Sequence, residues 1–318
     1  MEINQNPIRI LLFYKFVKLS ENDVDWFIRT HKKFCEDIGI KGRILVACEG
    51  INGSVSGTAT EMEKYKIALR NDERFSDIRF KEEMGIIHPF TKMKILKREE
   101  IVSIKFDVDM SKAGQFITAE ELYDWYEKGL FEKGDAIIFD TRNDYEFKVG
   151  HFKNSIQVNT KTFREFPNAL KNFEHLKGKK IVTFCTGGIR CEKASAVMRE
   201  FGFENVFQLK DGIINFIQKF PNTYWEGKCF VFDKRMVSDV SPSSENKPIT
   251  NCEVCGIVCD LYKNCRNPSC DRFVVECLEC QEKLNGCCSE HCLEELNIHF
   301  KEKSLRNQGR KEKIVLEM

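Results

Sequence analysis

Ten of the fifteen cysteines in this 318-residue chain fall between Cys252 and Cys292. So short a stretch cannot bury enough apolar surface to fold alone, and cross-links must supply the missing free energy. The thiols come in close pairs: Cys252 with Cys255, Cys265 with Cys270, Cys277 with Cys280, and Cys288 with Cys292. Thiolates a few residues apart can share one tetrahedral Zn²⁺. Four pairs make two structural zinc sites. Interleaved pairing puts Cys252, Cys255, Cys277 and Cys280 in one and Cys265, Cys270, Cys288 and Cys292 in the other, although spacing alone leaves the combination open. Cys259 and Cys287 are then spare, and His291 is an alternative ligand. The spacings are not those of iron–sulfur proteins. Disulfides would need an oxidising compartment. Met1–Pro7 carries no signal-peptide pattern, and the apolar run Ile10–Tyr14 is too short to span a bilayer. The expectation is a cytoplasmic protein that does not enter a membrane.

The remainder has room for two further domains. Residues 1–105 read as strand, helix, strand, strand, helix, strand, the order of a ferredoxin-like (acylphosphatase-like) α+β domain. Strands are placed at Ile8–Tyr14, Arg43–Cys48 and Ser54–Ser56, with Ile78–Phe80 and Met93–Leu96 as further strand candidates and a turn over Glu49–Gly53. Thr60 and Glu63 form the capping box expected to open the second helix. Residues 112–235 alternate helices with short apolar strands, which predicts a doubly wound parallel sheet with its site beyond the carboxyl ends of the strands. Residues 236–250 read as a linker around the polar, proline-flanked Ser241–Pro248, residues 251–295 as the cysteine-rich zinc module, and 296–318 as a basic tail. The 50 basic and 49 acidic residues nearly cancel, so contact with nucleic acid has to come from local patches. One is Lys41, Arg43, Lys92, Lys94, Lys97 and Arg98, flanked by Phe90 and Tyr14. The other is the tail, with Lys301, Lys303, Arg306, Arg310, Lys311 and Lys313.

Chemistry is concentrated in the run Cys185-Thr186-Gly187-Gly188-Ile189-Arg190-Cys191, between a buried strand and a helix. Backbone N–H groups and the positive end of a helix favour an anion there, and the thiolate is the reactive form of cysteine. Gly187 and Gly188 let backbone approach the anion closely. Arg190 is expected to point a positive fork into the loop. Four residues separate Cys185 from Arg190. Phosphatase loops of the Cys-x5-Arg type are one residue longer, so this loop suits a sulfur-sized adduct rather than phosphate. Cys191, one turn into the helix, is either a packed thiol or a resolving thiol for an oxidised Cys185.

Phe139-Asp140-Thr-Arg142-Asn-Asp-Tyr-Glu146-Phe-Lys-Val-Gly150-His151-Phe resembles the rhodanese pattern, and Cys185-x-x-Gly188-x-Arg190 resembles the rhodanese active loop. By that resemblance Cys185 is the catalytic nucleophile, Asp140 and Arg142 brace the loop, and His151 is structural. The longer string Cys185–Ser195, together with Gly42-Arg43 and Glu49-Gly50-Ile51-Asn52-Gly53 upstream and the cysteine-rich end, resembles the rhodanese-containing tRNA uridine hydroxylases. That resemblance implies formation of 5-hydroxyuridine at the wobble position, with molecular oxygen as co-substrate and the tRNA anticodon loop as partner. It names no electron donor and no oligomeric state. Two other readings stand beside it: a sulfurtransferase working through a Cys185 persulfide, and a zinc- and RNA-binding protein without activity. An intact Cys185 and Arg190 count against the last.

Overall fold

The run Ile8–Phe16 buries Ile8, Ile10, Leu11 and Phe13, and in the computed structural model it is the second strand of a five-stranded sheet. The structure describes residues 7–240 and 246–301. The chain divides into two units, Met1–Asn246 and Lys247–Met318.

The first part of the larger unit contains β1 (Ile8–Phe16), α1 (Glu21–Asp37), β2 (Lys41–Ala47), β3 (Gly50–Thr58), α2 (Ala59–Arg70), β4 (Arg79–Gly85) and β5 (Met93–Lys97). The strand order is β4-β1-β3-β2-β5, with β2 and β5 parallel and the other neighbours antiparallel. This is the expected ferredoxin-like arrangement with one strand added at the edge. Ser20 caps α1 in a capping box with Asp23, and Val24, Phe27, His31 and Cys35 form the buried stripe of that helix. They close one face of the sheet with Met62, Tyr65 and Leu69 of α2.

Two local expectations need correction. The cap of α2 is Thr58 with Glu61, because Thr58 is still extended (φ −65°, ψ 164°) and the helix begins at Ala59. Glu63 instead reaches the Lys66 ammonium. The segment 50–53, expected as a turn, is already strand: Gly50 pairs with both Phe16 and Ala47. Its glycine has a steric cause. At φ +139°, a Cβ would lie 2.0 Å from the Lys15 carbonyl oxygen.

The second part follows with β6 (Gln115–Ile117), α3 (Ala119–Glu127), β7 (Ala136–Asp140), α4 (Asp144–Val149), β8 (Gly150–Phe152), β9 (Ile156–Gln157), α5 (Phe166–Ala169), β10 (Lys180–Phe184), α6 (Ile189–Glu200), β11 (Asn205–Leu209) and α7 (Gly212–Lys219). The sheet β6-β11-β10-β7-β9 is parallel throughout. One face packs on α3 and α7 through Leu122, Tyr126, Ile213 and Ile217, the other on α5 and α6 through Phe166, Val197 and Met198. Thr118 and Glu121 cap α3 in a capping box. Short pairings complete the unit: β12 (Trp225–Gly227) with β8, and β13 (Cys229–Phe230) with β14 (Val237–Ser238). The first residues assigned to the linker therefore belong to this unit, and Val240 is buried. Linker residues 241–245 lie outside the described residues.

The smaller unit has a hairpin of β15 (Tyr262–Asn264) and β16 (Phe273–Val275), then α8 (Leu278–Lys283) and a helix over 290–301. Among the described residues no helix is long and apolar enough to cross a membrane. Of the tail lysines and arginines, Lys301 alone falls within the described residues, where it is exposed.

Candidate active site and metal centres

Asp140 ends β7 and Cys185 follows β10, so both stand at the carboxyl edge of the parallel sheet. The loop from Cys185 to Gly188 turns into α6, with Gly188 at φ +96° as the cap residue. Its N–H donates to Cys185 Sγ at 3.1 Å. The outer carbonyls of the loop are held from below: Ile213 N–H donates to the Cys185 carbonyl at 3.0 Å, and Ile214 N–H to the Thr186 carbonyl at 3.3 Å. This needs the preceding residue to be glycine. A Cβ on Gly212, at φ +70°, would lie 2.5 Å from the Cys185 carbonyl oxygen.

Burial opposes ionisation of Cys185. Hydrogen bonds from the Cys191 thiol and from the Cys191 and Arg190 N–H groups, with the Arg190 charge, overcome it and pull the thiol down to about 5. At neutral pH the sulfur is a thiolate. Cys191 moves the other way, since burial and the adjacent Cys185 push it up. Its sulfur also lies 3.8 Å from Thr141 Oγ1.

The Arg190 fork is taken up mainly by Glu146, with one edge turned to the loop. Its guanidinium grips Glu146 at 2.5 and 2.8 Å and reaches Thr186 Oγ1 at 3.4 Å. It acts on Cys185 through charge, with Glu146 fixing its position. Arg142 is fully buried. It pairs with Asp140 at 2.6 Å, donates to the Gly150 carbonyl at 2.7 Å, and lies over the rings of Phe184 and Trp225. The pair ties the end of β7 to β8 beneath the loop. His151 stacks on Phe147 and bonds its carbonyl through Nδ1 at 3.0 Å, a structural contact.

Above Cys185 is a cavity of about 370 Å³, within the range of small-ligand sites. Thr186, Gly187, Ile189 and Arg190 border it with Cys185. The opposite wall is the uncovered face of the first sheet, with Leu12, Tyr14, Arg43, Leu45, Asn52 and Lys81; the segment 231–235 adds Phe232 and Arg235. Of the six basic residues near the first sheet, Arg43 reaches this cavity, whereas Lys97 is taken by Glu21 and Asp25. Lys193 of α6 binds the two parts together, with its ammonium 2.9 Å from Glu49 and 2.7 Å from Glu100.

In the smaller unit the structure brings Cys252, Cys255, Cys277 and Cys280 together, and separately Cys265, Cys270, Cys288 and Cys292. The sulfurs within each group lie within 4.8 Å of one another. Every cysteine is a free thiol. Four sulfurs about 2.3 Å from a central ion stand about 3.8 Å apart. Cys255–Cys277 is 3.6 Å, Cys270–Cys288 3.8 Å and Cys288–Cys292 3.6 Å. Each group can therefore hold one metal ion. Cys259, Cys287 and His291 stand outside both, and His291 faces Glu295.

Residues 8–101 match the UPF0176 acylphosphatase-like domain, 118–219 the rhodanese-like domain, and 226–293 the rhodanase C-terminal region. A tRNA uridine(34) hydroxylase of Bacillus licheniformis is 38% identical, covering 98% of this chain and 96% of its own. Those of Cytophaga hutchinsonii and Staphylococcus epidermidis are each 40% identical over 89% of this chain, covering 89% and 88% of their own. The chain belongs to the tRNA uridine(34) hydroxylase family.

For this hydroxylase-family chain, the sequence pattern located the Cys185–Arg190 loop that borders the cavity and both thiol groups. It missed the role of Glu146, although that residue stands in the quoted rhodanese-like pattern. It also missed Lys81, Glu192 and Lys193, whose hydrogen-bond and ion-pair partners among side chains lie 93 residues or more away and leave no local signal. The Asp211-Gly212 pair after β11 is a turn signal in the sequence that marks the backbone supporting the loop.

Proposed function

We propose that this protein hydroxylates C5 of the wobble uridine of tRNA, with Cys185 as the catalytic residue. The observation that carries the reading is a buried thiolate at the wall of a cavity roofed by a second domain, in a chain whose relatives over nearly their full length are tRNA uridine(34) hydroxylases. A wobble uridine lies in a single-stranded loop, so its base can be splayed into such a cavity without melting a duplex. The Cys185 thiolate adds to C6 of the ring, which makes C5 nucleophilic toward an oxidant. Molecular oxygen is the co-substrate: one oxygen atom enters at C5, and a two-electron reductant brings the other to water. Asp140 and Arg142 brace the strand end beneath the loop, Thr186–Arg190 hold the thiolate, and Arg43 with the neighbouring lysines meets the RNA phosphates.

The two thiol groups bind zinc in a structural role, which the sulfur spacing supports. The protein works in the cytoplasm, where its substrate is. Nucleoside mass spectrometry of tRNA from a deletion strain tests the reading. Wild-type complementation restores 5-hydroxyuridine and Cys185→Ala does not; product from the alanine variant would end it. A thiocyanate-forming assay with thiosulfate checks the sulfurtransferase reading on the same protein.

A further inference from the structure

We propose that Tyr14 is the catalytic group that carries protons to and from C5 of the uracil, with Glu192 positioning it and exchanging its proton. The proposal rests on the thiolate-addition reading above. Tyr14 comes from β1 of the first domain and Glu192 from α6, directly after the reactive loop. The Tyr14 hydroxyl donates to Glu192 Oε1 at 3.0 Å. Tyr14 and Cys185 border the same cavity. A Cβ added to Gly188 would lie 3.1 Å from the Tyr14 hydroxyl, and the Gly188 N–H is itself 3.1 Å from Cys185 Sγ. The phenol therefore stands one residue from the sulfur.

Its ring is held as well. The Lys81 ammonium sits 4.5 Å from the ring centroid and is anchored 3.3 Å from Asp211. Other carboxylates around the cavity are committed to arginines: Asp233 to Arg235 at 2.6 Å, and Glu146 to Arg190. Glu192 instead has the phenol as its hydrogen-bond partner. Burial raises the Glu192 carboxyl above its usual range, which brings it nearer to proton exchange at neutral pH.

The chemistry needs such a group. Once C5 carries the new oxygen, the ring holds a hydrogen at C5 and the Cys185 sulfur at C6. Tyr14 takes the C5 proton as it passes its own to Glu192. The C5–H electron pair becomes the C5=C6 bond, and the C6–S pair returns to Cys185 as thiolate. No atom changes oxidation state on the enzyme in this step. Run without oxidant, the same relay protonates C5 of the initial adduct and removes a proton again, so C5 hydrogen exchanges with solvent.

The test uses the full chain, anaerobically, in D₂O, with an unmodified anticodon stem–loop RNA carrying uridine at the wobble position. Deuterium at C5 is read by nucleoside mass spectrometry. Wild type is expected to exchange and Cys185→Ala to show none. Tyr14→Phe and Glu192→Gln are expected to lower kcat for exchange by about 10²-fold or more. KM for the RNA and the rate of Cys185 alkylation by iodoacetamide stay at wild-type values, whereas a merely structural role would move both. Wild-type exchange in Tyr14→Phe overturns the relay and leaves the addition reading standing. Wild-type exchange in Glu192→Gln alone removes Glu192 from it. A wild-type protein that hydroxylates in cells but never exchanges overturns the addition reading and the relay together.

Discussion

Cys185 is an acid whose folded form titrates at about 5 and whose unfolded form titrates at about 9. The thiolate's contribution to stability is complete above about 9, shrinks as pH falls, and is gone below about 5. Alkylation by iodoacetamide should therefore run at a flat rate from pH 6 upward and halve near pH 5. Glu146→Gln frees Arg190 to move, and the midpoint should shift upward; an unchanged profile would show that Glu146 has no hold on the thiolate. Arg142→Met leaves Asp140 as an uncompensated buried charge. It should lower stability by about 3–5 kcal/mol in urea unfolding. At this scale the candidate site was legible where it is local: a cysteine, two glycines and an arginine in one loop. It was not legible at Glu146 and Lys81, where a residue's meaning depends on a partner that only folding brings near.

Elements were easier to read than their edges. The helix opened by Thr118 and Glu121 lies where its capping box predicts. The one expected at Thr60 starts one residue after Thr58, because two threonines and two glutamates at the same spacing offer competing caps and the length of β3 decides between them. The Gly50–Gly53 segment misled for a physical reason: glycine marks turns, but here it marks strands that approach too closely for a Cβ. Gly212 belongs with these. Gly212→Ala forces a side chain into the Cys185 and Thr186 carbonyls at a positive φ. A loss of about 1–3 kcal/mol is expected by thermal or urea unfolding, with slower alkylation of Cys185 because the loop loses the contacts that turn its N–H groups inward.

For the whole molecule, the cysteine module and the larger unit should answer differently to metal removal. With two groups of four thiols that can each hold a metal ion in place of a large apolar core, residues 247–301 are expected to need bound metal to fold. Calorimetry with a strong chelator should lose a transition belonging to the module and keep the one belonging to residues 7–240. A scan indifferent to chelator would count against metal in both groups. The order of domains along the chain was readable because each has its own hydrophobic period or thiol spacing. The cavity was not, because its two walls come from segments that no periodicity connects.

Lys193 makes the border inside the larger unit a seam that is chemically unfinished on either side. Residues 112–240 alone would carry a buried ammonium stripped of both carboxylates, and residues 7–105 alone would lose the cation opposite Glu49. Neither half is a reagent that can be lifted out and studied, however self-contained its sheet looks. Two fragments expressed apart should be poorly soluble and should recover a Cys185 that alkylates near pH 5 only when mixed.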